Sequence, residues 1–522
     1  MPSERIISFF GFFAMIFFAW LMSSHKKKVS PRIVIGGLVL QVVFAVLILK
    51  TEPGRLIFQN LGDFFTGVLA YVDKGSAFLF DVFPRPGEEG GFPPKYTLWR
   101  SFAFGILPTI IFFSSLMSIL YHLGVMQFVV KVFAVIMQKT LGTSGAETLS
   151  AAANIFVGQT EAPLVIRPYV NEMTLSELNV VMVGGFATIA GGVLAAYVGM
   201  GIDAGHLITA SVISAPAALM IAKILQPETE VSKTAGATSL RTEDTKCVNV
   251  IEAAAEGASS GLQLALNVGA MLIAFVALVA MGNAIVGWVG GLIAHYGGYQ
   301  AAAGWTLERG FGYVFSPFAW LMGIPWNECL QSGEILGNKM VVNEFVAYIS
   351  LSDVQAQLSP RTVTILTYAL CGFANFSSIG IQLGGIGGIA PERRGDLAKL
   401  GFRAMLGGTL AAFMTACIAG MMIPTDPTWE KPAPKETVDD AEVEAALALP
   451  ENQTLPEQAA AAGRLQHTDR KSSNFAYFTF SRDAGMVATA RFERIQHTVR
   501  PTVQSAFCAT GLTGFAHQFG VT

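Results

Sequence analysis

The chain has 522 residues, of which 52% are hydrophobic and only 14% are charged, and its formal net charge at pH 7 is −3. Soluble globular domains carry about a quarter charged residues, so this composition excludes an ordinary soluble protein, and the small net charge gives no basis for binding nucleic acid. The five cysteines form no CxxC pair, and there is no HExxH or GxxxxGK[ST] motif. We therefore predict a polytopic membrane protein without the usual signatures of a zinc hydrolase or a P-loop ATPase.

Hydrophobic runs long enough to cross about 30 Å of hydrocarbon recur along the chain. There are about eight of them, and they lie at Ile6 to Met22, Ile33 to Leu49, Leu98 to Leu123, Asn179 to Met200, Ile208 to Leu225, Leu262 to Val289, Val363 to Leu383 and Ala404 to Ile423. The basic cluster from His25 to Lys28 follows the first run. Because short basic loops stay in the cytoplasm, this run predicts a retained span with an extracytoplasmic N-terminus rather than a signal peptide.

Three further regions are apolar but differ from simple spans. The segment near residues 53–82 mixes apolar and charged residues, as an amphipathic helix along the membrane interface does. Two others, Ser144 to Val170 and Val314 to Ile349, are too interrupted for one helix and too apolar for exposed loops. We interpret both as re-entrant helical hairpins, whose exposed ends are acceptable at membrane depth only where they are buried in protein or line a cavity.

The centre of the first predicted hairpin reads GQTEAPL. Gly158 is expected to end one half-helix and Thr160 to cap the next, with Glu161 and Pro163 in its first turn. The positive end of the second half-helix would then stabilise an ionised Glu161.

The second predicted hairpin contains GNKMVVNEFVAY and repeats this arrangement. Gly337 is expected to end or loosen a half-helix, Asn343 to cap the next one, and Glu344 to follow the cap directly. An ionised carboxylate at membrane depth costs at least about 2.5 kcal/mol. Two glutamates in matching positions, Glu161 and Glu344, therefore favour a functional role over the alternative of structural capping.

A span with polar residues follows each hairpin, carrying Thr188 after the first and Asn375 with Ser378 after the second. This hairpin-span-span unit occurs twice, which is typical of a transporter built from two inverted repeats with its site where they meet. The predicted domains are N-terminal helices, mostly scaffold, at 1–143; a first transport repeat at 144–225; a cytoplasmic loop and long scaffold helix at 226–313; a second transport repeat at 314–423; and a Pro-, Glu- and Ala-rich tail, predicted to be disordered and extracytoplasmic, at 424–522.

Five segments resemble signature segments of the concentrative nucleoside transporter family, the sodium/nucleoside cotransporters, in its bacterial form. They are GQTEAPLVIRPY, GFATIAGG, the run NVIEAAAEGASSGLQLALNVGAMLIAF, NEFVAY and CGFANFSSIGIQLGG. The resemblance covers about residues 95–423 in order, and it implies an all-α polytopic membrane protein with about eight transmembrane helices, two re-entrant hairpins and interfacial helices. It also implies a homotrimer in the inner, or plasma, membrane, in which each protomer has a scaffold domain and a moving transport domain.

The resemblance further implies site residues by motif match. Those facing the nucleobase are Gln159, Thr160, Glu161, Val193 and Phe373. Those holding the ribose are Glu344, Asn375 and Ser378. Those forming the sodium site are Asn154 and Thr188 by side chain, and Val157 and Ile189 by backbone carbonyl.

Elementary chemistry agrees with these implied roles. An ionised carboxylate accepts two charge-assisted hydrogen bonds from a ribose diol, and an amide both donates to and accepts from a base edge. The resulting hypothesis is sodium-driven import of nucleosides such as uridine or adenosine by elevator-like alternating access, with sodium as coupling ion and no organic cofactor. Purine or pyrimidine preference stays open. The alternatives are proton coupling, transport of another small polar solute, a membrane-embedded hydrolase and a passive channel.

Overall fold

The computed structural model describes residues 2–80, 102–235, 247–298 and 304–423, and two short strands beyond them. Met1–Pro432 form one compact unit and Ala433–Thr522 a second. In the second unit, strand β1 (Phe478–Thr479) pairs antiparallel with β2 (Thr489–Ala490). The rest of the tail, and with it most of the prediction of disorder, lies outside the described residues.

The described part of the first unit is helical. Its helices are α1 Pro2–Leu21, α2 Pro31–Leu49, α3 Glu52–Phe80, α4 Leu107–His122, α5 Val125–Leu141, α6 Gly145–Ala153, α7 Ala162–Val165, α8 Leu175–Ala187, α9 Gly191–Gly199, α10 Ala204–Leu225, α11 Val250–Gly297, α12 Leu307–Leu321, α13 Trp326–Val341, α14 Glu344–Val354, α15 Pro360–Leu370, α16 Phe376–Ile389 and α17 Arg394–Met422. The prediction of an all-α membrane protein is confirmed.

Seven helical segments among the described residues are long and apolar enough to cross a membrane. They coincide with seven of the predicted spans. The other predicted span, Val363 to Leu383, is divided between α15 and α16 because the chain leaves helical geometry from Cys371 to Asn375. The segment predicted near 53–82 forms the single helix α3.

The order of helices repeats. A hairpin (α6 and α7), a broken span (α8 and α9) and a complete span (α10) are followed later by a hairpin (α13 and α14), a broken span (α15 and α16) and a complete span (α17). Each broken span leaves backbone groups without their helical hydrogen bonds, which is tolerated at membrane depth only where protein or a cavity surrounds them. The division into scaffold and transport domains remains a prediction.

The break in the second repeat packs against the break in the first. Gly372 has a φ of 152°, in the region that favours glycine, and a Cβ there would come within 2.7 Å of the Phe186 carbonyl oxygen. Beside it, the Phe373 N–H donates to the Thr188 carbonyl oxygen at 3.3 Å. The two interruptions are therefore joined directly.

Three local predictions for the hairpins were wrong. The first half-helix ends at Ala153, with Asn154 as its C-cap, and does not continue to Gly158. The N-cap residue of α7 is Glu161 instead of Thr160, because the chain turns until Glu161 before helical geometry resumes. Gly337 lies inside α13, where a Cβ would come within 2.3 Å of Phe311 Cβ, so this glycine permits close packing and does not end the helix.

Burial differs sharply between the long helices. The apolar stretch of α10 is 100% buried within the protein, whereas that of α11 is only 6% buried. α10 contacts α2, α8 and α17, and α11 contacts chiefly α4. The core therefore surrounds α8, α10 and α17, and α11 offers its apolar side to lipid or to another chain.

Candidate substrate and ion sites

Asn154 and Thr188 lie at the C-terminal ends of two helices that end close together. Asn154 caps α6, is 1% exposed and donates from Nδ2 to the Ser150 carbonyl oxygen at 3.1 Å. Its Oδ1 is buried and has no hydrogen-bond partner among the described residues. Thr188 caps α8 and donates to the Gly184 carbonyl oxygen at 3.0 Å, and a Cβ at Gly184 would come within 2.9 Å of Asn154 Nδ2. The Asn154 amide and the Thr188 hydroxyl thus both lie against Gly184.

The backbone supplies further oxygens at this junction. The Gly191 N–H donates to the Phe156 carbonyl oxygen at 3.0 Å, which holds the turn containing Val157 against the break containing Ile189. Val157 and Ile189 are both buried. Neutral oxygens at the C-terminal ends of interrupted helices suit a hard monovalent cation, and the unpartnered Asn154 Oδ1 is available as a ligand.

Glu344 is the buried carboxylate of the second hairpin. It opens α14 directly after Asn343, whose side chain accepts the Val346 N–H at 3.0 Å, so the predicted cap is confirmed. Only 3% of Glu344 is exposed. Its Oε1 accepts from the Tyr197 hydroxyl at 3.1 Å and its Oε2 from Asn375 Nδ2 at 2.8 Å.

The start of α16 connects the two hairpins. Asn375 caps α16 by accepting the Ser378 N–H at 2.8 Å. Ser378 Oγ in turn accepts from Gln159 Nε2, in the first hairpin, at 3.1 Å. A continuous path of hydrogen bonds therefore runs from Glu344 through Asn375 and Ser378 to Gln159, and it brings four of the predicted substrate residues together.

The remaining predicted nucleobase residues differ in how deeply they are buried. Thr160 packs on α16 at Gly385, where a Cβ would come within 2.6 Å of Thr160 Cγ2. Val193, in the first turn of α9, is 1% exposed, and Phe373, in the second break, is 9% exposed. Glu161 is exposed to a cavity, and its Oε2 accepts the Gly158 N–H at 2.9 Å.

That cavity has a volume of about 410 Å³ and lies between the first hairpin, α4 and α11. Val157 and Glu161 line it together with Ala190 to Gly192. Polar and charged residues of its wall are Ser114, Ser118, Tyr121, His122, Arg167, Cys247, Glu256 and Ser260. The volume is within the usual range for small-molecule pockets, about 300–1,000 Å³.

Sequence reasoning missed three buried residues of the cluster. Tyr197 contacts Glu344, Gln382 donates from Nε2 to Gln159 Oε1 at 3.1 Å, and Lys339 donates to the Ala369 carbonyl oxygen at 2.7 Å. Lys339 thereby places a positive charge at the C-terminal, negative end of α15. The signal for Gln382 was its position one helical turn after Ser378, on the same face of α16.

Two re-entrant hairpins, two broken spans and a buried polar cluster between them define a membrane transporter built from inverted repeats. Family models agree along the chain. The models described as Na+ dependent nucleoside transporter N-terminus and C-terminus match residues 10–83 and 206–420, and one described as nucleoside recognition matches residues 103–204.

Similar proteins lead to the same family. The transporter YutK of Bacillus subtilis is 46% identical over 413 residues, which cover 79% of this chain and 98% of that protein. Sodium/nucleoside cotransporter 1 of Rattus norvegicus is 43% identical over 434 residues, or 80% of this chain and 64% of the rat protein. The chain belongs to the sodium-dependent, or concentrative, nucleoside transporter family, and it is a transporter rather than an enzyme.

Solved structures of CNTnw match the fold in two states. The structure of CNTnw in an inward-facing substrate-bound state has a TM-score of 0.73 and 44% identity, and the match covers 80% of this chain and 98% of that chain. A CNTnw variant in an outward-facing state has a TM-score of 0.72 and 44% identity, with 80% and 97% covered. The resemblance drawn from the five sequence segments is therefore confirmed, as is sodium as the coupling ion of the family.

Proposed function

We propose that this protein imports nucleosides across the inner membrane by sodium symport, and that separate groups of the residues named above bind the ribose, the base and the sodium ion. The observation that supports this most strongly is the hydrogen-bonded path from Glu344 through Asn375 and Ser378 to Gln159. It joins the second hairpin to the first across one buried site. A nucleoside has a ribose and a base. The carboxylate at one end of this path suits the ribose hydroxyls, and the amide at the other end suits the edge of the base.

Glu344, Asn375 and Ser378 bind the ribose in this proposal. The Glu344 carboxylate now accepts from Tyr197 and Asn375, and it retains lone pairs for hydroxyl groups of a diol. Hydrogen bonds to an ionised acceptor are roughly twice as strong as neutral ones, so the ribose end supplies much of the affinity.

Gln159, Thr160 and Glu161 face the base, with Val193 and Phe373 as apolar walls. Gln159 and Glu161 are two residues apart in sequence, and Glu161 lines the 410 Å³ cavity. The cavity lies on the side of the predicted cytoplasmic loops, so we assign it as the path by which the nucleoside leaves.

The sodium ion binds to side-chain oxygens of Asn154 and Thr188 and to the carbonyls of Val157 and Ile189. The buried, unpartnered Asn154 Oδ1 supports this assignment, because an amide oxygen left without a partner costs stability unless a ligand occupies it. One sodium ion moving inward gains about 2.3 kcal/mol per 100 mV of membrane potential, in addition to its concentration gradient. Asn154 and Gln159 both lie in the segment that links α6 to α7. Binding of the ion and binding of the base would therefore fix the conformation of the same segment.

Alternating access follows from the division of the fold. We propose that the two repeats, 144–225 and 314–423, move as a transport domain against a scaffold that includes α11 and the N-terminal helices. The exposed apolar length of α11 fits a contact with neighbouring protomers in a homotrimer. In this arrangement the N-terminus and the tail are extracytoplasmic.

Uridine uptake into proteoliposomes tests the function. An inward sodium gradient should drive accumulation above the outside concentration, whereas a choline control should not. Full-rate uptake driven by a pH gradient without sodium would establish proton coupling instead. Saturable uptake that never exceeds the outside concentration under either gradient would establish facilitated diffusion.

A further inference from the structure

Gln382 is a fully buried amide that lies behind Gln159. It is on α16, is 0% exposed, and donates from Nε2 to both Gln159 Oε1 and the Met182 carbonyl oxygen, each at 3.1 Å. Gly185, on the same helix as Met182, makes room for both amides, because a Cβ there would come within 2.8 Å of Gln159 Cβ and of Gln382 Nε2. The two side chains are thus held together on α8.

These contacts determine the orientation of both side-chain amides, that is, which neighbour the oxygen and the nitrogen of each one face. A backbone carbonyl oxygen only accepts hydrogen bonds, so the atom of Gln382 that faces Met182 must be its nitrogen. The second hydrogen of that nitrogen points to Gln159, so Gln159 presents its oxygen to Gln382. The Gln159 nitrogen therefore faces the opposite way, toward Ser378 and the substrate site.

The buried position of Gln382 has a cost in hydrogen bonding. Its own Oε1 is buried without a hydrogen-bond partner among the described residues. A leucine or methionine of similar size would avoid that loss but would leave Gln159 Oε1 and the Met182 carbonyl oxygen without this donor. This favours a role for the amide itself.

We propose that Gln382 is a specificity-determining positioning residue, which fixes Gln159 so that it meets the nucleobase as a hydrogen-bond donor. The inference rests on the proposed contact of Gln159 with the base. One Gln159 N–H is used by Ser378, and the other is directed at substrate. The site then favours nucleobases that present an acceptor, a carbonyl oxygen or an unprotonated ring nitrogen, and disfavours those that present a donor there.

Competition against uridine uptake by the full-length protein in proteoliposomes tests this. The probes are 2-thiouridine and 4-thiouridine, in each of which sulfur weakens one acceptor of the base. With the unmodified protein, one of them should compete about threefold or more worse than uridine, the effect of one weakened hydrogen bond. Gln382→Leu should reduce that penalty to less than about twofold, because Gln159 is then free to rotate.

Gln382→Glu gives a sharper outcome. A protonated glutamic acid has one O–H, which it donates to Met182, so its other oxygen accepts from Gln159 and turns the Gln159 oxygen toward the substrate. The thio-analogue penalty should then disappear, and where 4-thiouridine is the penalised probe, cytidine, which carries an amino donor at the same position, should improve relative to uridine. Gln159→Met supplies the control: in that background Gln382→Leu should cause no further change in the analogue profile.

The outcomes separate the two claims. If the unmodified protein does not transport uridine, the proposed function is wrong. If it does, and Gln382→Leu inserts normally with an unchanged analogue profile, the inference about Gln382 is wrong. Should Gln382→Leu not insert, Gln382→Met replaces it, and failure of both to insert would show that Gln382 serves folding and overturn the inference.

Discussion

The Phe373 N–H donates to the Thr188 carbonyl oxygen at 3.3 Å, and this bond connects the interruptions of the two broken spans. Thr188 belongs to the proposed sodium site, and Phe373 lies beside Asn375 in the proposed nucleoside site. A change of geometry at one break would therefore act on the other through this backbone hydrogen bond. This contact gives coupling between ion and substrate a physical route.

Glu344→Gln should abolish uridine uptake. The glutamine nitrogen would either face Asn375 Nδ2, which only donates, or take the place of the oxygen that accepts from the Tyr197 hydroxyl, and the acceptor for the ribose diol would lose its charge. We expect kcat/KM for uptake to fall by about 100-fold or more. Glu172→Gln, which alters a carboxylate that is 55% exposed and paired with Lys233, should leave uptake nearly unchanged. Equal uptake by Glu344→Gln and the control would refute the ribose role.

Asn154→Ala should weaken sodium activation specifically. It removes the buried Oδ1 that we assign to the ion, so the sodium concentration for half-maximal uptake should rise by about tenfold or more. Asn179→Ala is the matched control, because Asn179 is also a buried amide with an unpartnered oxygen, but it donates to the Ala222 carbonyl on α10. An equal shift in both variants would mean that the effect is structural.

Lys223→Met should destabilise the folded protein. The Lys223 ammonium is 5% exposed and lies 2.7 Å from Glu147 and 3.1 Å from Glu228, so its removal leaves carboxylate charge unpaired inside the protein. Breaking such a buried pair costs about 3–5 kcal/mol. Thermal unfolding in detergent should show a clear loss of stability, whereas Lys233→Met, at a side chain 66% exposed, should change it by less than about 1 kcal/mol. Equal unfolding temperatures for the two variants would contradict a stabilising role of the Lys223 ion pairs.

Cys247 should react slowly with maleimide at neutral pH. Its thiol donates to Glu256 at 2.9 Å, and this hydrogen bond to a carboxylate raises the pKa of Cys247 to about 11, which keeps the thiol protonated below that pH. Glu256→Gln should accelerate labelling at pH 7.5 by about tenfold or more, since the thiolate is the reactive form. The other cysteines of the described ranges are buried, and a Cys508→Ala background removes the one beyond them. Unchanged labelling would rule out this pairing.

The sequence predicted the parts of the site that local chemistry determines. Asn343 as a cap with Glu344 beside it, and Asn375 with Ser378 on one helix face, depend on residues near in sequence, and the structure places them so. The cap of α7 was predicted at Thr160 because its side chain suits capping, but the turn continues to Glu161. The capping preference of threonine predicted the right segment for the start of α7 but the wrong residue for its N-cap.

Contacts between distant helices could not be predicted in the same way. Tyr197 lies in an apolar run. Gln382 shares a helix face with Ser378, but its neighbours in sequence do not show that it reaches Gln159, nor do those of Tyr197 show that it reaches Glu344. Those contacts depend on how α9 and α16 pack against the hairpins. The resemblance to a family gave the list of site residues, whereas the network that orients them required the structure.

Simultaneous measurement of radiolabelled sodium and uridine influx into proteoliposomes tests symport most directly. The proposal predicts reciprocal dependence: uridine accelerates sodium influx, sodium accelerates uridine influx, and Asn154→Ala weakens both together. Uridine that accumulates while sodium influx stays the same with and without uridine would contradict the central claim.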